Sequence, residues 1–335
     1  MRTKQEEKLK TRNWELETGR SGLAARYLQP DVQPDTSIQR LASDIGHPAP
    51  GIKQALRGAS ARLHAVTDAP YLEAEVLLAH VLGTSRTALL AHPEQILTSE
   101  QLSNYQVLVR RRASGYPLPY LTGRVEFYGL EFEVTPEVLI PRPDTETLVD
   151  LACARQPRAV VDVGTGSGCI AVSLALHLPK VIVYAVEISP AALAVARRNV
   201  ERHGVGGRVR LIVGDVLTPR PGLVDLIVSN PPYIPTGQCA SLPASVRDHE
   251  PRLALDGGPD GLAVIRRLLA QAPAVLRGPE RCGRAEGRPG GGLLIEIGAN
   301  QGEAARRLAR AFFPRATVRV HPDLAGRDRV LEVQT

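Results

Sequence analysis

The apolar run Val224–Val228, broken only by Asp225, leads straight into Ser229-Asn230-Pro231-Pro232-Tyr233. This junction constrains the fold more than any other stretch. A strand that apolar suits a sheet covered by helices on both faces, and such sheets deliver functional residues at the strands' carboxyl ends. Asn230 offers a side-chain carbonyl acceptor there, and neither Pro231 nor Pro232 has a backbone N–H, so the turn presents carbonyl oxygens without competing proline donors. That combination suits a planar NH2 group. Such a nitrogen is a poor nucleophile because its lone pair is delocalised, and two acceptors on its hydrogens push electron density back onto it. Tyr233 adds an aromatic face for stacking. A strand-ending turn uses the same residue types, so the upstream sequence has to decide between the two readings.

Upstream, three strand ends repeat the pattern. Ala159–Val163 is a short buried strand, followed by Gly164-Thr165-Gly166-Ser167-Gly168 and an apolar helix from Cys169 to about Leu178. Glycines allow close approach of backbone to a ligand, and a helix N-terminus offers N–H groups and a positive dipole end. The next strand, Val181–Val186, ends in Glu187, about twenty residues on, where a carboxylate can accept from ribose hydroxyls. A third strand, Val209–Val213, leads to Asp215, placed to accept from an adenine amino group, and Val216, placed to pack on the ring. Together with the Asn-Pro-Pro-Tyr strand these ends specify an adenosine cofactor in an α/β fold.

Before this sheet the pattern is helical. Ile52, Ala55, Leu56, Ala59, Leu63 and Val66 recur at helical spacing, Pro70 precedes an Ala/Leu-rich helix over Tyr71–Leu82 with Asp68 as its expected N-cap, and a short helix is expected over Arg86–Ala91. Thr98 and Gln101 make a capping box for a fourth helix to about Ser114. Tyr120–Val134 reads as a hairpin turning at Tyr128-Gly129, and Ile140–Glu146 opens another helix, with Arg142 either structural or facing the cofactor. The expected domains are a disordered extension over 1–50 with a short helix near Glu6–Thr18, a helical bundle over 51–117, a hairpin linker over 118–136 and the catalytic domain over 137–335.

The 335 residues carry a net charge of +6 with acidic and basic residues interleaved, which does not demand a nucleic-acid partner. Arg110-Arg111-Arg112 is read as a solvated helix face, with a partner contact as the alternative. Cys153, Cys169, Cys239 and Cys282 form no C-x-x-C pair, and His64, His80 and His92 have no metal-like spacing, so no metal is expected. The charged N-terminus lacks an apolar signal core. A cytoplasmic protein without a membrane segment follows as the expectation.

With these residues in view, the sequence resembles the PrmC/HemK family of S-adenosylmethionine-dependent methyltransferases, which modify a glutamine side-chain nitrogen in peptide chain release factors. The resemblance runs from about Ile52 to Val333 and includes Ile140–Glu146, Gly164–Gly168, Ser229–Tyr233, Val246–Leu255 and Asp323–Arg329. It implies a seven-stranded Rossmann-like class I methyltransferase sheet with an antiparallel last strand, preceded by a helical domain that binds the release factor and joined to it by the hairpin. It also implies that Gly164, Thr165, Gly166, Ser167, Gly168, Glu187, Val216 and Asn230 contact the cofactor and that Asn230, Pro231, Pro232 and Tyr233 hold the glutamine. Glu187 stands where the family often has Asp. Arg277–Gly291 is longer than the usual loop, and 1–50 has no counterpart.

The implied reaction is direct displacement by the glutamine N5 of the Gly-Gly-Gln motif of class I release factors; no stable nucleic-acid binding is expected, and a monomer is the default expectation. Orientation and acceptors that favour positive charge on nitrogen carry the catalysis. One rival is a glutamine methyltransferase acting on a ribosomal protein. A DNA adenine-N6 methyltransferase is another, since a flipped adenine presents the same NH2, but no target-reading domain is evident. A catalytically silent docking protein is the third, and the intact Asn230–Tyr233 motif argues against it.

Overall fold

The computed structural model describes residues 50–219, 221–277 and 290–335. The expectations for 1–49 and most of the Arg277–Gly291 stretch lie outside them. Five helices come first: α1 (Ile52–Leu63), α2 (Pro70–Leu82), α3 (Arg86–Ala91), α4 (Ser99–Ala113) and α5 (Leu118–Thr122). The i, i+4, i+7, i+11 face of α1, Ile52, Leu56, Ala59 and Leu63, is buried against Leu77 and Leu78 of α2 and Tyr105 and Val109 of α4. The Thr98–Gln101 capping box forms on both sides. Asp68 does not cap α2. Pro70 takes the first helical position, which moves the N-cap to Ala69, whose N–H donates to Thr67 Oγ1 instead.

The basic run on α4 also departs from the expectation of a solvated face. Arg112 is buried and pairs with Glu73 while donating to the Val66 carbonyl, and Arg111 stacks 4.2 Å over the Tyr116 ring. Only Arg110 is solvated, because the helix turns about 100° per residue and three consecutive side chains cannot share a face. His64, His80 and His92 are exposed.

A hairpin follows, β1 (Arg124–Phe127) and β2 (Leu130–Glu133), turning through Tyr128 and Gly129 with φ of 54° and 70°. Two successive positive φ values match the twist of a two-residue hairpin. Phe127 and Phe132 are buried in the same cluster as α6 (Glu146–Ala154) and α7 (Cys169–His177). The hairpin is therefore packed into the layer that covers the sheet.

That sheet has seven strands in the order β5-β4-β3-β6-β7-β9-β8, built from β3 (Ala159–Val163), β4 (Ile182–Glu187), β5 (Val209–Val213), β6 (Leu226–Ser229), β7 (Gly292–Glu296), β8 (Thr317–Pro322) and β9 (Asp328–Gln334). The pairs from β5 to β7 are parallel, and β9 enters antiparallel between β7 and β8. The expected fold class is the one observed. Alternate residues of the central strands feed two cores: Val160, Leu226 and Val228 face α6 and α7, whereas Val161, Ile227 and Ile295 face α10 (Ala263–Gln271) and α11 (Gly302–Phe312).

Asp225, the one break in the β6 run, accepts from the N–H groups of Arg158 and Ala159 and from the Arg277 guanidinium. It ties the entry of β6 to that of β3. After β3 the chain winds outward through β4 to β5, then returns past β3 to form β6 on the other side. The order therefore reverses between β3 and β6, and a crevice opens outside their carboxyl ends.

One buried amide fixes the crevice wall. Asn199, on α8 (Pro190–Arg202), accepts from the Glu133 N–H at 2.7 Å and donates to the carbonyls of Glu133 and Ser167 at 2.9 and 2.8 Å. It joins the hairpin to the glycine loop as a third strand edge would. Asn199→Leu, of similar volume, leaves the buried Ser167 carbonyl and two partly buried backbone groups of Glu133 unpaired and should cost about 2–4 kcal/mol, from roughly 1–3 kcal/mol per orphaned group with partial relaxation. Chemical denaturation checks this; a midpoint unchanged from wild type would mean the bridge is redundant.

Candidate active site

The carboxyl ends of β3, β4, β5 and β6 surround a cavity of about 220 Å³, lined among others by Thr165, Glu187, Val216, Asn230, Pro231 and Pro232. The glycine loop forms its floor. Gly164 and Thr165 both donate their N–H to the Val186 carbonyl, and Gly168 donates to the Thr165 carbonyl, so the loop is bonded across the two strand ends. Gly164, Gly166 and Ser167 line the cavity, and so does Asp215. Gly168 does not. Its φ is 81°, and a Cβ there would stand 3.2 Å from Ala196 Cβ, so packing of the α7 N-terminus on α8 dictates this glycine.

The electrostatics converge on two carboxylates. Glu187 is 7% exposed and accepts from Gly166 N–H at 2.9 Å with Oε2 and from Ser189 N–H at 3.0 Å with Oε1. Behind the loop, fully buried Asp162 accepts from Thr165 Oγ1 at 2.6 Å, while its Oδ1 and the Ser167 hydroxyl have no protein partner. Burial, with the Glu187 charge adding to it, pushes the Asp162 carboxyl up to about 7 against the Thr165 hydrogen bond. A carboxylate at the strand end, an apolar wall from Val216 and Ile188, and unpaired polar atoms around the loop fit an adenosine cofactor.

Asp215 is not the free acceptor the sequence suggested. Its carboxylate pairs with Arg267 of α10, which also lines the cavity. Val216 has φ of 56°, rare for a β-branched residue and worth about 1–3 kcal/mol of strain. Its neighbours hold it there: Asp215 and Thr218 exchange backbone hydrogen bonds, and Leu217 N–H donates to Gln271 Oε1. The strained turn aims Val216 into the cavity wall.

At the end of β6, Asn230 Nδ2 donates to Thr145 Oγ1 at 3.0 Å, and Thr145 donates to Glu296 Oε2 at 2.7 Å. The amide nitrogen is thereby engaged by Thr145, itself a lining residue, which leaves Oδ1 as the acceptor the sequence anticipated. Tyr233 does not line the cavity. Its hydroxyl points to Glu296 Oε1 at 3.4 Å, its carbonyl accepts from Gln301, and burial beside Glu296 pushes the phenol up to about 12. The turn is clamped: Ile234 exchanges backbone hydrogen bonds with Leu255 and Gly257, and a Cβ at Gly257 would fall 2.7 Å from the Pro232 carbonyl.

Glu250 joins the remaining motifs. Its buried carboxylate accepts from Ile140 N–H and pairs with Arg142, so Arg142 is structural and does not line the cavity, whereas Pro141 and Thr145 of the same motif do. Thr145, Glu296 and Arg267 were not singled out from the sequence. Glu296 had a signal, a carboxylate closing the apolar strand Leu293–Ile297; Arg267 sits on an ordinary amphipathic helix and had none. Among the described residues no His, Cys, Asp and Glu cluster could hold a metal, and no helix is long and apolar enough to cross a membrane.

Two family descriptions match the chain, the PrmC N-terminal domain over residues 54–123 and the methyltransferase small domain over 143–244. A release factor glutamine methyltransferase of Moorella thermoacetica is 49% identical over 284 residues, 83% of this chain and 96% of its own. The protein of the same name from Geobacter sulfurreducens is 48% identical over 235 residues, 69% of this chain and 78% of its own. One from Nitratidesulfovibrio vulgaris is 41% identical, covering 82% and 92%.

Proposed function

This chain belongs to the release factor glutamine methyltransferase family, and from that premise we propose that it methylates the side-chain nitrogen (N5) of the Gly-Gly-Gln glutamine in class I peptide chain release factors. The observation that carries the proposal is a single cavity lined both by the glycine loop with Glu187 and by Asn230, Pro231 and Pro232. Cofactor and acceptor groups for an amide NH2 thus meet in one space. When bound, S-adenosylmethionine supplies an electrophilic methyl group.

The chain's own residues do the rest. Glu187 accepts from the cofactor's ribose hydroxyls while its bonds from Gly166 and Ser189 hold the loop in place. Asn230 Oδ1 and the Pro231 carbonyl accept the two amide hydrogens of the substrate glutamine, which returns electron density to its nitrogen and fixes it in line. The rigid turn means that these acceptors need no reorganisation. As the N–CH3 bond forms the methyl–sulfonium bond breaks, the neutral thioether S-adenosylhomocysteine leaves, and the acidified amide proton passes to water, so no strong base is required. The helices over 51–117 bind the body of the release factor, and 137–335 carries the chemistry. The enzyme acts as a cytoplasmic monomer and forms no stable complex with nucleic acid.

Mass spectrometry of a purified class I release factor, incubated with this protein and S-adenosylmethionine, tests the proposal. One added methyl group, mapped to the Gly-Gly-Gln glutamine, is expected. Methylation of a ribosomal-protein glutamine or of adenine in DNA, with none on the release factor, would reverse the assignment.

A further inference from the structure

Glu296 takes no part in the reaction described above, yet it hydrogen-bonds Thr145, which lines the cavity. It closes β7 and is 1% exposed, a costly place for a carboxylate. Its two oxygens meet Thr145 Oγ1 at 2.7 Å and the Tyr233 hydroxyl at 3.4 Å, and Thr145, itself 2% exposed, meets Asn230 Nδ2 at 3.0 Å. The Thr145 hydroxyl thus hydrogen-bonds both Glu296 and the acceptor amide.

Proton counting gives the chain a direction. A hydroxyl has one hydrogen to donate and lone pairs to accept with. An ionised carboxylate can only accept, so it takes the Thr145 hydrogen. The Thr145 oxygen is then left to accept, and the partner it needs is the NH2 end of Asn230. With the amide nitrogen held by Thr145, Oδ1 is the end of the amide left free for the substrate. A neutral group at 296 that can donate permits the reverse order, in which Thr145 receives from 296 and donates to Asn230. The amide then turns by about 180° and sets its NH2 against the substrate's NH2, two donors facing each other.

We propose that Glu296 is a positioning residue for methyl transfer, acting through Thr145 to hold the Asn230 carbonyl, rather than its NH2, toward the substrate amide. The proposal rests on the glutamine methyltransferase reading above and adds to it the device that orients its acceptor. The charged and titratable groups facing Glu296 come from every side: Arg329 from β9, Asp144 beside Thr145, Tyr233 from the turn after β6, and Cys169 at the start of α7. Arg329 bridges Asp144 and Asp323 at 3.0 and 3.1 Å. Burial pushes the Glu296 carboxyl up to about 7, opposed by the Thr145 hydrogen bond and the Arg329 charge. The ionised, orienting form therefore predominates above that pH and is lost as pH falls through it.

The test measures single-turnover methylation of a release factor, with S-adenosylmethionine affinity measured separately by calorimetry. Glu296→Gln, isosteric but able to donate, should lower the rate at least 30-fold at pH 8 while cofactor affinity stays within about threefold. Its rate should also be flatter than wild type between pH 6 and 8. Thr145→Val should lose a similar factor, Thr145→Ser should recover most of it, and Glu296→Gln/Thr145→Val should be no worse than the poorer single variant, since both cut one chain. Thermal melts of each variant separate unfolding from misorientation, and Thr145→Ser keeps the test open should Glu296→Gln not fold. A Glu296→Gln rate within twofold of wild type, or Thr145→Ser as poor as Thr145→Val, overturns the inference. Failure of the wild type to methylate the release factor overturns the activity reading instead.

Discussion

Asn230→Ala should reduce the rate of glutamine methylation by about 10²–10³-fold, the range expected for one preorganised hydrogen-bonding group aimed at developing charge. The loss comes from chemistry more than from binding. Asn230 is one wall residue among many in the cavity, so cofactor affinity should change by less than about tenfold, whereas its Oδ1 is one of only two acceptors assigned to the substrate NH2. The fold should survive, because the truncation leaves Thr145 Oγ1 still donating to Glu296 and the turn still clamped through Ile234 and Gln301. Single-turnover incorporation of labelled methyl, with circular dichroism as a control, decides the matter. Near-normal turnover would falsify the assignment of Asn230 as the orienting acceptor.

The parts of this site that could be read from sequence are those where one strand end carries one chemical meaning. A short apolar run followed by glycines, an acid or Asn-Pro-Pro declares its own position, because parallel strands point their carboxyl ends the same way. Glu187, Asn230 and the loop were legible for that reason. For Gly168 the resemblance implies a cofactor contact, while the fold gives this glycine a packing role against Ala196, set by how two helices cross and carried by no local signal. Tyr233 was expected to stack on substrate, but its hydroxyl is drawn to Glu296, a residue 63 positions away.

Long-range charge pairing was the least legible layer. Asp215 looks like a free acceptor until Arg267 is folded onto it, and Arg142 was ambiguous until Glu250 arrived beneath it. The separations, 52 and 108 residues, carry no periodic signal. Local rules failed where two of them competed, as when Pro70 moved the α2 cap from Asp68 to Ala69, and where packing drew one member of a charge run inward, as at Arg112.

Glu187→Ala should weaken S-adenosylmethionine binding by at least 100-fold. The carboxylate sits at the end of β4 with each oxygen already accepting one backbone N–H, and each keeps acceptor capacity toward the cavity it lines. Hydrogen bonds to a charged group contribute about 1.5–3 kcal/mol each, and 1.4 kcal/mol is a factor of ten in affinity. Two such bonds to ribose hydroxyls thus account for roughly 10²–10⁴. The truncation also removes the acceptor of Gly166 N–H, so the loop loses its tie to the strand and the cavity floor relaxes. Glu187→Gln separates the two contributions. Its amide keeps one acceptor but turns an NH2 toward either Gly166 N–H or Ser189 N–H, setting donor against donor, so it should recover little. Glu187→Asp keeps both acceptors on a shorter stem and should stay within about tenfold of wild type. Calorimetric titration of the three variants orders them; an Ala variant that binds within threefold of wild type would place the ribose elsewhere in the cavity, and an Asp variant as weak as Ala would show that reach, not charge, governs the contact.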